Sequence, residues 1–241
     1  MIYIITNKDD KVDYLYKFLE SPQINIFVPK DIVNGRFLPW YHLIIMKKYI
    51  NDTSINYFMY LEDDILITKK NINYWLVARQ KLQKYNLIPG FLRVEHNTNN
   101  NVLIATDYAK KENLKTLPKI FFDNSKNAFI NTYFPYQGMY FYDRNLMTEH
   151  LNSISSNPDF GHGILDVNYI NDNLIKLDLM AKANIGLIYK DPIKGFINRK
   201  VLPVDLNKKI FFDVCFIEHM DNSYANKKSS FANIEVKNVL T

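Results

Sequence analysis

Apolar residues in the first third of the chain follow two alternating rhythms. Short runs, YIIT (3–6), INIFV (24–28) and INYFMYL (55–61), read as strands. Between them lie stretches with apolar residues three and four positions apart, which read as helices. DKVDYLYKFLES places Val12, Leu15, Phe18 and Leu19 on one face. PWYHLIIMKKYI (39–50) has Trp40, Leu43, Ile44 and Ile50 as its buried stripe, and KNINYWLVARQKLQKY (70–85) is a longer helix. Pro39 suits a first helical turn, and Pro29 ends the second strand. Strands separated by helices of this length predict a mainly parallel sheet flanked by helices.

The middle of the chain changes character. GFLRVEH, NVLIATDYA, KIFFD, AFINTYF and QGMYFYD are short β-like runs separated by polar turns, and HNTNNN (96–101) is a loop. They predict antiparallel strands added to the parallel core. Helices return at RNLMTEHLNSI and over 165–182, followed by strands IGLIY and IFFDVCFI. The segment ANKKSSFANIEVKN is expected to be a loose tail or a flap. With no internal repeat and no clean boundary, the simplest expectation is a single mixed α/β domain.

Composition narrows this picture. A chain of 241 residues, 47% hydrophobic and 23% charged, is globular and long enough for a full core. Its 17 Tyr and 16 Phe suit a core and also the walls of a sugar or base pocket. The net charge of +5 and pI near 9.0 follow from a Lys- and Asn-rich composition, or serve an anionic substrate or membrane surface. Lys and Arg are spread along the chain without a basic motif, so no nucleic-acid partner is expected. Cys215 is the only cysteine, which rules out an intrachain disulfide and suits a reducing compartment; in FFDVCFI it should pack as a small hydrophobe. The start MIYIITNKDD lacks the pattern of a signal peptide, and no apolar run reaches the ~18 residues of a membrane span. A cytoplasmic protein is expected, with peripheral membrane contact left open and oligomeric state unread.

One stretch departs from these rhythms. FMYLEDDILIT (58–68) sets Glu62, Asp63 and Asp64 between two apolar runs. In an extended segment Glu62 and Asp64 would point one way and Asp63 the other. Two such carboxylates repel unless a cation or hydrogen bonds compensate. Oxygen ligands without a nearby Cys or His pair favour a hard ion, Mg²⁺ or Mn²⁺, which completes its shell with water and substrate phosphates. The alternative is a solvated acidic turn.

An apolar strand ending in LEDD, the third of a βαβαβ start, resembles the D-x-D motif of nucleotide-sugar glycosyltransferases with the GT-A fold. The resemblance covers the order of elements from residue 2 to about 142 and a late histidine. It implies a GT-A-like, Rossmann-like domain, with about 1–105 binding the nucleotide sugar and about 106–241 binding the acceptor beneath a C-terminal flap. It also implies a divalent-metal-dependent transferase that moves a sugar from a nucleotide-diphosphate donor to a hydroxyl of a glycan or lipid-linked acceptor, as in surface polysaccharide biosynthesis. Carried over, Asp64 is the direct metal ligand. Glu62, standing where the motif has its first Asp, contacts the ribose or reaches the metal through water. Asp63 turns away or approaches the donor sugar.

The same resemblance directs attention to other residues. His219 ends the apolar run FFDVCFIEH and is either a further metal ligand or a histidine at a strand end. Lys227 and Lys228 either neutralise a diphosphate or belong to a solvated tail. Thr6, Asn7 and Asp31, at the ends of the first two strands, would bind base and ribose, and Arg36 would reach the phosphates; capping or surface roles are the alternatives. Inverting transfer needs a carboxylate base. Asp166 at a helix start and Asp159 before it are the candidates, with helix capping as the alternative. Gly138 marks either close backbone approach by a ligand or a β-bulge. Trp40 and Trp75 are expected in the core. A metal-dependent phosphoesterase or phosphotransferase, and a non-catalytic sugar-binding scaffold, remain the rival readings. No P-loop, zinc spacing, GxSxG elbow or HExxH is present.

Overall fold

A computed structural model describes residues 1–7, 12, 23–30, 32, 35–98, 100–123, 126–157, 179–226 and 234–241. The described residues are mixed α/β and group into two compact units: 1–60, 141–157 and 179–184 form the first, and 61–140 and 185–241 the second. No described helix is long and apolar enough to cross a membrane.

In the first unit β1 (Ile2–Ile5) pairs in parallel with β2 (Ile24–Phe27). A 3₁₀ helix, Gly35–Tyr41, leads into α1 (His42–Tyr49). The buried stripe here is Trp40, His42, Leu43 and Met46, while Ile44, expected inside, is 57% exposed. The 3₁₀ entry rotates the helix relative to a continuous α-helix from Pro39, so the apolar face advances by a residue. β3 (Tyr57–Leu61) pairs with β10 (Met139–Asp143), and the Arg144 N–H donates to the Asn56 carbonyl (3.0 Å), which sets the start of one strand beside the end of the other. The third strand is therefore in an antiparallel ladder, not the parallel one expected. Asp143 caps α3 (Arg144–Leu151) by accepting the Leu146 N–H; α4 (Leu179–Ile185) overlaps the last residues of the helix expected over 165–182, and 165–178 lie outside the described residues.

The second unit carries two five-stranded sheets. β4 (Ile65–Leu66) follows the acidic triplet, and α2 (Lys69–Leu82) follows β4. Next come β5 (Ile88–Pro89), β6 (Leu92–Asn97), β7 (Val102–Ala105), β8 (Lys119–Asp123) and β9 (Asn127–Ile130). β11 (Lys200–Asp205), β12 (Ile210–Phe211), β13 (Phe216–His219), α5 (Ser223–Asn226) and β14 (Ile234–Glu235) complete it. One sheet runs β14-β7-β6-β13-β4, and the other runs β12-β11-β9-β8 with β5 beside β11. Among the pairings with described registers only β1–β2, β5–β11 and β6–β13 are parallel. The mainly parallel expectation is corrected to sheets of mixed orientation.

Three local expectations also change. IGLIY is a buried turn after α4 instead of a strand, its Ile188 carbonyl accepting the Arg199 N–H (2.7 Å). The strand that does form nearby is KVLPVD, a segment the sequence reading had not assigned. The end of the chain is packed, with Val236, Val239 and Leu240 in the core around Leu92, Val94, Ala105 and Val204. Trp75 and Cys215 lie in the interior as expected, and burial pushes the Cys215 thiol up to about 12.

Candidate functional site

The second unit brings three strand ends together by register. β13 lies between β6, which it parallels with Phe216 beside Leu92 and Glu218 beside Val94, and β4, which it opposes with His219 beside Ile65. Continuing these rows sets Glu95 beside His219 on one side, and on the other leaves Asp64 beside Met220, one residue along from the His219–Ile65 pair. β6 alternates strictly: Leu92 and Val94 enter the core, so Arg93 and Glu95 share the opposite face. An Asn71 side chain keeps β13 in place. Asn71 sits at the third position of α2, where it closes a capping box with Thr68, and its Nδ2 donates to the Val214 (2.9 Å) and Phe216 (2.8 Å) carbonyls.

The acidic triplet itself is a tight turn, not an extended stretch: the Ile65 N–H donates to the Glu62 carbonyl (3.2 Å). Asp63, at the tip, is exposed. The Asp64 carbonyl accepts the Met220 N–H (2.7 Å), so both chain segments are locked together at the site.

Glu62 and Asp64 have different partners. The Tyr136 hydroxyl donates to Glu62 Oε1 (2.9 Å), and Arg93 Nη1 lies 3.8 Å from Glu62 Oε2. Arg93 is itself buried, bidentate to Asp107 at 2.7 and 3.2 Å, and stacked between the Tyr136 and Tyr224 rings at 4.9 and 5.7 Å. Burial, the largest single effect, works against its charge, but Asp107, by charge and hydrogen bond, together with Tyr136 and Glu62 more than offsets it and holds the guanidinium protonated. The segment carrying Tyr136 is pinned from below. Lys200 Nζ donates to the Pro135 (3.2 Å) and Tyr136 (3.4 Å) carbonyls, and burial brings that amine down to about 8. Gln137 accepts the Phe91 N–H and donates to the Met139 carbonyl. Gly138 has φ +66°, its carbonyl accepts the Glu62 N–H, and a Cβ there would lie 2.6 Å from Glu62 Oε2. The glycine leaves room for the Glu62 carboxylate, a neighbour the sequence reading had not considered.

Asp64 faces His219: Oδ2 is 3.0 Å from Nε2. The opposite ring nitrogen, Nδ1, is bonded to Glu95, which is 0% exposed and also accepts the Ala225 N–H. A neutral imidazole that gives its only hydrogen to Glu95 turns a lone pair toward Asp64, where two acceptors meet. That contact needs a proton or a cation between the two atoms. Asp64 Oδ1 is also buried and has no hydrogen-bond partner among the described residues. A carboxylate and an imidazole backed by a second carboxylate fit a borderline ion such as Mn²⁺. They are too few to cage it: among the described residues no group of three His, Cys, Asp or Glu could hold a metal. Such an ion would take its remaining ligands from water and substrate phosphate.

The expected ligands Asp64 and His219 are thus brought together. Glu62, expected beside them as the helper, has Tyr136 and Arg93 as its partners. Thr6, Asn7 and Arg36 lie in the first unit. There the Thr6 N–H extends the β1–β2 ladder to the Phe27 carbonyl (3.1 Å), a Cβ on Gly35 would approach Asn7 Nδ2 to 3.3 Å, and Arg36 follows on the exposed 3₁₀ turn. Asp31, Asp159, Asp166, Lys227 and Lys228 lie outside the described residues. Sequence reading passed over Arg93, Glu95, Asp107 and Tyr136. Its missed signal was LRVE, where two charges alternate with two apolar residues in a strand whose neighbours give it no solvent.

No protein-family model matches the chain, and no curated protein or solved structure is significantly similar to it.

Proposed function

We propose that the protein is a divalent-metal-dependent glycosyltransferase, binding a nucleotide-diphosphate sugar through Mn²⁺ or Mg²⁺ and passing the sugar to a hydroxyl of a glycan or lipid-linked acceptor. The observation that supports this reading is the Asp64–His219 contact, with a buried orphan oxygen on one side and Glu95 behind the ring. The ion, when bound, would neutralise the negative charge that collects on a departing nucleoside diphosphate. Asp64 and His219 would hold it, and the turn at 62–65 keeps Asp64 beside His219. Glu62, fixed by Tyr136 and Arg93, would contact the ribose of the donor.

Release of nucleoside diphosphate from a panel of sugar nucleotides tests the reading. The expected result is turnover, or slow donor hydrolysis without acceptor, that depends on Mn²⁺ and is lost in Asp64→Ala with the fold retained. Metal-dependent binding without product would favour the non-catalytic scaffold, and hydrolysis of simple phosphate esters would favour the phosphoesterase. Turnover indifferent to both chelator and Asp64→Ala would overturn the metal role.

A further inference from the structure

We infer that Glu95 is the positioning residue of this site: it fixes the His219 ring with Nδ1 protonated and Nε2 turned toward Asp64, and thereby sets the affinity for the cation. The inference rests on the metal reading of Asp64 and His219 given above.

The argument begins with burial. Glu95 and the His219 ring are both shielded, at 0% and 5% side-chain exposure. A carboxylate so enclosed is costly unless its oxygens are occupied by donors. Glu95 has two from the described chain, one to each oxygen: His219 Nδ1 on Oε1 and the Ala225 backbone N–H on Oε2. The Ala225 donor is supplied by α5, whose position is fixed separately. Asn97 Nδ2 donates to the Ala225 carbonyl (2.8 Å), and the His96 N–H donates to Asn222 Oδ1 (3.0 Å). The carboxylate is therefore held from behind, and its remaining oxygen faces the ring.

Two consequences follow for the imidazole. An acceptor-only partner at Nδ1 requires the hydrogen there, so the lone pair available for coordination is on Nε2. The Tyr224 ring, 5.5 Å from the imidazole centroid, limits rotation about the axis that Glu95 defines. A carboxylate behind a coordinating histidine also raises the basicity of the nitrogen on the far side, and loss of such a partner typically lowers metal affinity roughly 10–100-fold. Glutamine cannot reproduce this. Its amide has one acceptor oxygen for two N–H groups, so either His219 or Ala225 must face a donor.

The test uses the full-length protein and two readouts. Mn²⁺ affinity is measured by electron paramagnetic resonance of free Mn²⁺ for wild type, Glu95→Gln and Glu95→Asp, with melting temperatures alongside. The His219 tautomer is read from imidazole ¹⁵N resonances of the metal-free wild type. The expected result is a protonated Nδ1 in the wild type and a roughly 10–100-fold loss of affinity in Glu95→Gln, partly restored in Glu95→Asp. A merely structural Glu95 would change melting temperature and leave affinity unmoved among the folded variants. Wild-type affinity in Glu95→Gln, or an unprotonated Nδ1 in the wild type, overturns the inference. That second readout decides even where a variant does not fold. Failure of the wild type to bind Mn²⁺ would instead overturn the metal reading itself, and the inference with it.

Discussion

A methyl group added at Gly138 would meet the Glu62 carboxylate at 2.6 Å, at a backbone φ of +66° that side chains rarely adopt. Both effects act on the same group, because Glu62 has its backbone N–H on the Gly138 carbonyl and its side chain on Tyr136 and Arg93. Gly138→Ala is expected to destabilise the protein by about 1–3 kcal/mol, read by denaturant unfolding. An unchanged midpoint would mean that Glu62 is free to move aside. At this scale the sequence was informative about identity and poor about partners. Asp64 and His219 stand out as an acid after an apolar strand and a histidine ending one. Nothing local reveals that Glu62, two residues before Asp64, is claimed by an arginine and a tyrosine. That choice is made by Tyr136 and Arg93, distant in the chain and set in place by Lys200 and Gln137.

At the scale of elements the site depends on one strand being in register with two others. β13 carries His219, and the clamp on β13 is Asn71, whose amide bonds the Val214 and Phe216 carbonyls while its oxygen accepts from the Thr68 N–H and hydroxyl. Asn71→Ala removes a cap and leaves two carbonyls unpaired, with an expected cost of about 2–4 kcal/mol. Thr68→Ala removes only the cap and is expected to cost about 1 kcal/mol. Equal costs for the two variants, measured by thermal unfolding, would show that the bonds to β13 contribute little. The helix was legible from its apolar spacing because that pattern is local. The β4–β13–β6 register was not, because it joins residues near 65, 95 and 219 and no window of sequence contains all three. IGLIY was misread, and KVLPVD passed over, for a related reason. Pro203 lies in a strand where the absent N–H is tolerated, its carbonyl still accepting the Phe212 N–H (3.0 Å), while the apolar IGLIY is buried by neighbours without needing a ladder.

At the scale of the whole molecule, buried groups in the two units are expected to respond in opposite senses to pH between about 4 and 7. In the first, burial lowers His42 to about 4, and burial together with the nearby His42 lowers His150 to about 3. Unfolded histidine takes up its proton near 6.5, so the stability tied to these neutral rings is complete above that pH and is lost as pH falls toward 4. In the second, burial raises Glu112 from 4.5 to about 7, against the opposing bond from the Tyr133 N–H. A carboxyl raised on folding contributes stability that is complete below pH 4.5 and is lost as pH rises through about 7. Amide hydrogen exchange is expected to show α1 and α3 losing protection between pH 6.5 and 5. Glu112→Gln is expected to raise the melting temperature at pH 8 and leave it unchanged at pH 4.5, and a loss of stability at pH 8 would contradict the assignment. The broad class, a mixed α/β chain, was legible from the two hydrophobic rhythms. The sheet directions were not, because a buried strand reads alike whether its neighbours run with it or against it.

The central claim is that Asp64 and His219 form a cation site completed by a nucleoside diphosphate. Its most direct measurement is a thermal-shift panel of common nucleoside diphosphates, each with Mn²⁺ and with a chelator, on the wild type and on Asp64→Ala. Selective stabilisation of the wild type by at least one nucleotide, present only with Mn²⁺ and absent from a folded Asp64→Ala, is the predicted result. Stabilisation that persists in the chelator or in Asp64→Ala, or none with any nucleotide while the wild type is folded, would contradict it.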